Sequence, residues 1–207
     1  MLRLESEIDA ARRDADRRGW FAAMYRQTTR AVRDRVVAGA FDDAERMGRF
    51  VERFAGRYLG PMRDWREARP VPRCWRQAFG VGPDKLIIQH LLLGMNAHVN
   101  FDLAVVAAET CPGTEIHAMH DDFVAVNDIL GGLMPGVRSC IGRFSPLLDV
   151  IDRVGGGEDD EILNFSIRVA RDQAWSQALV LAPPPRIPRG GPNSSNPSTA
   201  AWPCSAR

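Results

Sequence analysis

The stretch from Leu86 to Ala108 is apolar and long enough to cross a bilayer, and it contains "HLLLGMNAHVNFDL" at residues 90–103. Within it stand His90, Asn96, His98, Asn100 and Asp102. An aspartate near the middle of a membrane span costs about 2.5–3.5 kcal/mol on insertion scales. The pattern therefore predicts no membrane span but the buried central helix of a protein bundle. At 100° per residue its apolar side chains point in every direction. Ile88, Leu92, Val99 and Val106 face one way, Leu91 and Val105 another, Phe101 and Ala108 a third. A helix apolar all round is a buried one, so each polar residue on it needs a partner inside the fold.

Those polar residues sort into three stripes. Gln89, Asn96 and Asn100 share one. His98 and Asp102 form an i, i+4 pair, with Glu109 further along the same line. His90 lies beside Gly94 and Ala97, where a neighbouring helix has room to approach. His90 and His98 are about 12 Å apart along the axis and point in different directions, which argues against a shared metal ion for them but leaves one feasible for His98 with Asp102.

The rest of the chain reads as helices separated by Gly and Pro, with no alternating strand. A first helical region covers about residues 4–38 with a bend near Gly19 and a stop at Gly39. A second starts with Asp42 as N-cap and ends before "ARPVPR". "CWRQAF" forms a short helix, and the central helix covers about 84–109. A fourth, capped by Thr114, runs to Met134 and stops at "PG" (135–136). Short helices over 137–154 break near Pro146, and a last helix spans about 159–181. The expectation is an all-α single-domain bundle of about six helices over residues 1–182. Residues 183–207 hold seven of the fourteen prolines and no acid; such a tail cannot offset its ordering entropy and is expected to be disordered.

Of the 207 residues, 45% are hydrophobic and 26% charged, and the net charge is +1 with signs interleaved. No basic stripe marks a nucleic-acid surface. The charged N-terminus lacks the apolar core of a secretory signal, and Cys74, Cys111, Cys140 and Cys204 form no paired motif, which together predict a cytoplasmic protein with reduced thiols. The oligomeric state is not legible.

"HLLLGMNAHVNFDL", with "DDFVAVNDIL" and "RDQAW", resembles a family of uncharacterised helical proteins common in actinobacteria, a domain of unknown function, over about residues 20–180. That resemblance implies an all-α domain without an established activity. It places the family's polar positions on His90, Asn96, His98, Asp102, Asp122, Asn127, Arg171 and Trp175. The HxxxD spacing of His98 and Asp102 is also similar to helices of zinc-dependent phospholipase C and S1/P1 nucleases, whose companion histidines have no counterpart here. "DD" at 121–122 with "ND" at 127–128 resembles the aspartate-rich motif of terpene synthases, but helical facing turns Asp121 and Asp128 outward.

The leading expectation is a polar pocket between the central, fourth and last helices, serving a metal-assisted hydrolase or lyase on a small, partly apolar substrate. His98, Asp102 and Arg171 are the candidate catalytic residues, Arg171 as an anion partner. Asn96, Asn127 and Trp175 are candidate substrate contacts. A divalent ion (zinc, iron or magnesium) would be held by His98 and Asp102 with His120 and Asp122 opposite. Without metal, the carboxylate would orient the imidazole as a general base. The alternatives are a non-catalytic helical module, whose polar network fixes packing or which holds an apolar ligand, and a terpene-synthase-like enzyme.

Overall fold

The computed structural model describes residues 2–144 and 159–182. The expected tail after Ala182, and most of the short helices expected over 137–154, lie outside the described residues. Every element among the described residues is helical. In order they are α1 (Leu2–Arg13), α2 (Gly19–Val37), α3 (Ala44–Arg66) and α4 (Arg73–Phe79), then a composite central helix, α7 (His120–Phe144) and α8 (Asp159–Leu181). The central helix comprises α5 (Ile87–Met95), a π-helical segment (Asn96–Asp102) and α6 (Leu103–Thr110). Counted as one, it makes seven helices among the described residues, near the six expected.

Local chemistry sets the boundaries. The first helical region is two helices rather than one bent at Gly19. Ala15 takes a left-handed φ of 50° and turns the chain between them. α2 ends where Gly39 adopts φ 68°; there the Gly39 and Ala40 amides donate to the Val36 and Arg35 carbonyls, the Schellman pattern that glycine permits at low cost. Asp43, one residue beyond the expected Asp42, caps α3 by accepting from the Arg46 amide at 2.8 Å. Gln89 caps α5 by accepting from the Leu86 amide at 2.9 Å. Thr114 does not cap the fourth helix, which is entered through a 3-10 turn over Gly113–Met119. α7 also runs through Pro135 to Phe144 instead of stopping at "PG".

Two apolar clusters fill the interior. One gathers Leu4, Phe21, Tyr58, Trp75 and Leu91 between α1, α2, α3, α4 and α5. The other gathers Leu103, Val106, Met119, Phe123 and Trp175 between α3, α6, α7 and α8. The π segment lies where they meet, since Ala97 belongs to the first cluster and Leu103 follows directly into the second. The helix over Ile87–Thr110 is long and apolar enough to cross a membrane, but 56% of that window is buried inside the bundle. It is not buried on all sides: Leu92 is 50% and Phe101 54% exposed.

Gly94 is the point of closest approach to α2. A Cβ built there would stand 2.5 and 2.6 Å from ring atoms of Phe21 and 3.1 Å from its Cβ. Phe21 is itself buried among Tyr25, Tyr58 and Trp75, so it cannot swing aside. Helix propensity alone favours alanine by about 1 kcal/mol, while overpacking costs about 1–3 kcal/mol. Gly94→Ala is expected to lower the urea midpoint at unchanged m-value; a raised midpoint would show that the Phe21 contact yields.

Candidate functional site

Asp102 and His98 stand one turn apart on the π segment, both buried. The Leu103 amide bonds to the His98 carbonyl, an i→i+5 bond that takes one residue more per turn than an α-helix. Such segments are rare and frequently mark functional sites. His98 Nδ1 lies 3.3 Å from Asp102 Oδ2. The same oxygen accepts from the indole Nε1 of Trp75 on α4 at 2.9 Å. Asp102 Oδ1 accepts from Arg57 Nε on α3 at 3.3 Å. The carboxylate is an acceptor, so His98 donates through Nδ1 and its Nε2 carries the lone pair. That Nε2 is buried and has no hydrogen-bond partner among the described residues.

The imidazole sits in a ring of aromatic side chains. Phe54 stacks on it with centroids 3.6 Å apart and planes 8° from parallel. Tyr25 meets it edge-on at 4.5 Å, and Phe21, Tyr58 and Trp75 complete the enclosure. Burial pushes the His98 pKa below the ordinary imidazole value, against the opposing hydrogen bond and charge of Asp102 and with the help of the Arg57 charge. The sign follows: the unfolded chain takes up a proton on this imidazole near pH 6.5, where the folded chain does not. Stability is therefore full above about pH 6.5 and falls as pH drops below it. His90, also lowered by burial, acts in the same sense. Urea midpoints across pH 5–8 are expected to fall at the acid end, and more shallowly in His98→Gln; an equal slope in both proteins would assign the effect elsewhere.

His98 also forms part of the wall of a cavity of about 100 Å³ between α2, α3, the π segment, α7 and α8. Asp102, Trp75 and Arg57 are not in that wall, and the bare Nε2 of His98 is itself closed off from water. Most of the lining is apolar, including Met24, Val32, Phe50, Leu103 and Val126. Thr28 and Thr29 reach it too, but their hydroxyls donate to the Met24 and Tyr25 carbonyls of their own helix. The remaining polar members of the wall are Tyr25, His98 and Arg171. Arg171, on α8, is buried. Its Nε donates to Asn127 Oδ1 at 2.5 Å, its Nη2 donates to the Phe123 carbonyl at 2.6 Å, and the guanidinium lies 4.3 Å from the centre of the Phe123 ring.

The other candidates fall elsewhere. Asp122 is buried but turned to the α2–α3 connection, where it accepts from the Asp42 amide at 2.7 Å, the Asp43 amide at 3.3 Å and Arg46 Nη2 at 2.6 Å. His120 is half-exposed beside Asp121 and packs edge-on against Trp175. The structure thus does not bring His120 and Asp122 to the His98–Asp102 pair, and no group of three or more His, Cys, Asp or Glu converges among the described residues. Asn96 is exposed and accepts from Asn100 Nδ2 at 2.7 Å, so that stripe links no helices and lies outside the cavity wall. Asn127 acts through Arg171, and Trp175 packs on Phe123 outside the wall.

Sequence reasoning missed Trp75 and Arg57 as the partners of Asp102, and the aromatic enclosure. A signal was present: Phe21 with Tyr25, and Phe50, Phe54 and Tyr58, repeat at four-residue spacing and so form aromatic stripes on two helices.

Fold and site together define an all-α bundle with a buried histidine–aspartate pair beside an apolar cavity. Residues 1–190 match the model of a Family of unknown function (DUF5995), and the chain belongs to that family. No curated protein and no solved structure matches the chain.

Proposed function

We propose that this chain is an acid–base enzyme of hydrolase or lyase type, acting on a small, partly apolar substrate held in the cavity beside His98. The observation that supports this reading is the buried, unpartnered Nε2 on a ring whose Nδ1 is fixed by Asp102. An imidazole fixed in one tautomer keeps its Nε2 lone pair free for a proton, and Asp102 offsets part of the burial that disfavours the charged form. The imidazolium so formed meets the Asp102 carboxylate, which stabilises it without taking the proton itself. The apolar wall excludes water from competing for Nε2. Engineered apolar cavities of about 150 Å³ take up benzene, so a cavity of about 100 Å³ takes a substrate body smaller than a benzene ring.

This reading needs no metal ion. A metal-assisted form would ask for further donors near His98 and Asp102, and both Asp102 oxygens already accept from Trp75, His98 and Arg57.

The test has two parts. Long-range ¹⁵N–¹H spectra of the imidazoles should show His98 protonated at Nδ1 and bare at Nε2, with the imidazole signals moving on addition of 1-butanol. A panel of short alkyl esters and β-hydroxy acids then samples the two reaction types, and His98→Gln should lower turnover by about 10²–10⁴-fold. A His98 protonated at Nε2, or turnover that survives the substitution in a folded variant, would sink the proposal.

A further inference from the structure

Arg171 raises a separate question of charge. Its side chain is at least nine-tenths buried, with a residue exposure of 4%. Its described hydrogen-bond partners, the Asn127 amide oxygen and the Phe123 carbonyl, are both neutral. No carboxylate stands within ion-pair distance of it among the described residues. Asp172, its neighbour in sequence, is exposed and attracts it only at longer range. Burial accordingly pushes the Arg171 pKa down, to about 10. A guanidinium has five N–H donors; two serve Asn127 and Phe123, and three have no acceptor among the described residues. Burying a cation is expensive unless a counter-charge meets it with good geometry.

Taking the cavity as the ligand site of the preceding section, we infer that its ligand is a small monocarboxylate with an apolar body, whose carboxylate meets Arg171 in the cavity wall. The planar fork of a guanidinium matches two carboxylate oxygens. A dianionic phosphate would bring two charges to the single cation of the wall, with neutral hydroxyls as its other polar neighbours. The lining between Arg171 and His98 is apolar, which suits the body of the ligand. A hydroxyl or other donor at its far end would then lie against His98, whose Nε2 has no hydrogen-bond partner among the described residues. The selectivity is thus for one negative charge at one end, a hydrocarbon middle and a hydrogen-bond donor at the other.

Calorimetric titration of the full chain with butyrate, butyramide and 1-butanol tests this. Butyrate should bind at least tenfold more tightly than its neutral isostere butyramide, Arg171→Gln should abolish that preference, and Arg171→Lys should retain part of it. In the unsubstituted protein the Arg171 Nε–H resonance should shift on butyrate addition, which decides the matter if Arg171→Gln does not fold. Equal binding of butyrate and butyramide, or an Arg171 resonance that does not respond, would overturn the inference. If 1-butanol still perturbs the His98 imidazole in that case, the acid–base reading stands without the carboxylate. If butyrate selectivity depends on Arg171 while His98→Gln loses no turnover, the carboxylate site stands and the acid–base reading falls. Failure of all three probes to bind overturns both.

Discussion

Asp122→Ala is expected to lower folding stability by about 3–5 kcal/mol, the cost typical of removing one partner from a buried ion pair. Asp122 closes the connection between α2 and α3 by accepting from two consecutive backbone amides and from Arg46. Arg46 is itself largely buried, with 11% side-chain exposure. Alanine leaves that guanidinium with the more exposed Asp43 at 3.7 Å and strands both amides. An asparagine side chain would keep one oxygen for the amides but lose the charge, so an intermediate loss is expected for Asp122→Asn. Urea denaturation gives the magnitude, and hydrogen exchange at the Asp42 and Asp43 amides locates it. Exchange there should accelerate, while the His98 imidazole signals stay where they were. A loss below about 1 kcal/mol, the net worth of a single ordinary hydrogen bond, would show that water replaces the carboxylate at little cost.

Asp102→Ala is expected to cost about 2–5 kcal/mol, because it orphans two donors in an aromatic interior at about 1–3 kcal/mol each. These are the Trp75 indole N–H and the His98 Nδ1–H. Arg57, whose side chain is 42% exposed, can turn to water and adds little. The asparagine variant separates hydrogen bonding from charge. An amide oxygen placed where Oδ2 stands keeps both buried donors and gives up only Arg57. Asp102→Asn should therefore lie within about 1 kcal/mol of the unsubstituted protein. Equal losses for alanine and asparagine would mean that the charge, rather than the two hydrogen bonds, holds this site together. The Trp75 indole N–H resonance offers an independent check, since it should move in the alanine variant and hold its position in the asparagine variant.

The fold class was legible because helical periodicity and Gly/Pro punctuation are local properties. The close approach at Gly94 was legible for the same reason, whereas Arg171 reads as lying on the flank of the last helix and its burial came with the structure. The His98–Asp102 pair was legible too, since residues four apart stay on one side of the chain through this segment. The partners of those residues were not. Asp122 is held by a connection some eighty residues earlier in the chain, and Asp102 by Trp75 and Arg57 from two other helices. No period along the sequence encodes which turn of one helix comes to rest against which loop of another.

The central helix shows where the boundary between the two lies. The sequence by itself determined that about residues 84–109 form a helix to be buried, that its polar residues need partners, and that His98 and Asp102 act as a pair. It also put Leu92, Val99 and Val106 on one face, and Phe101 with Ala108 on another, as a constant 100° step requires. In the structure Leu92 is exposed and Val106 buried, and Phe101 is exposed while Ala108 is buried. The π segment between them takes an extra residue into its turn, so facings computed across it no longer hold. Whether a helix takes that turn depends on what packs against it. Here the segment lies between two apolar clusters, with Phe54 stacked on His98 and Trp75 bonded to Asp102, contacts that exist only once the other helices have assembled.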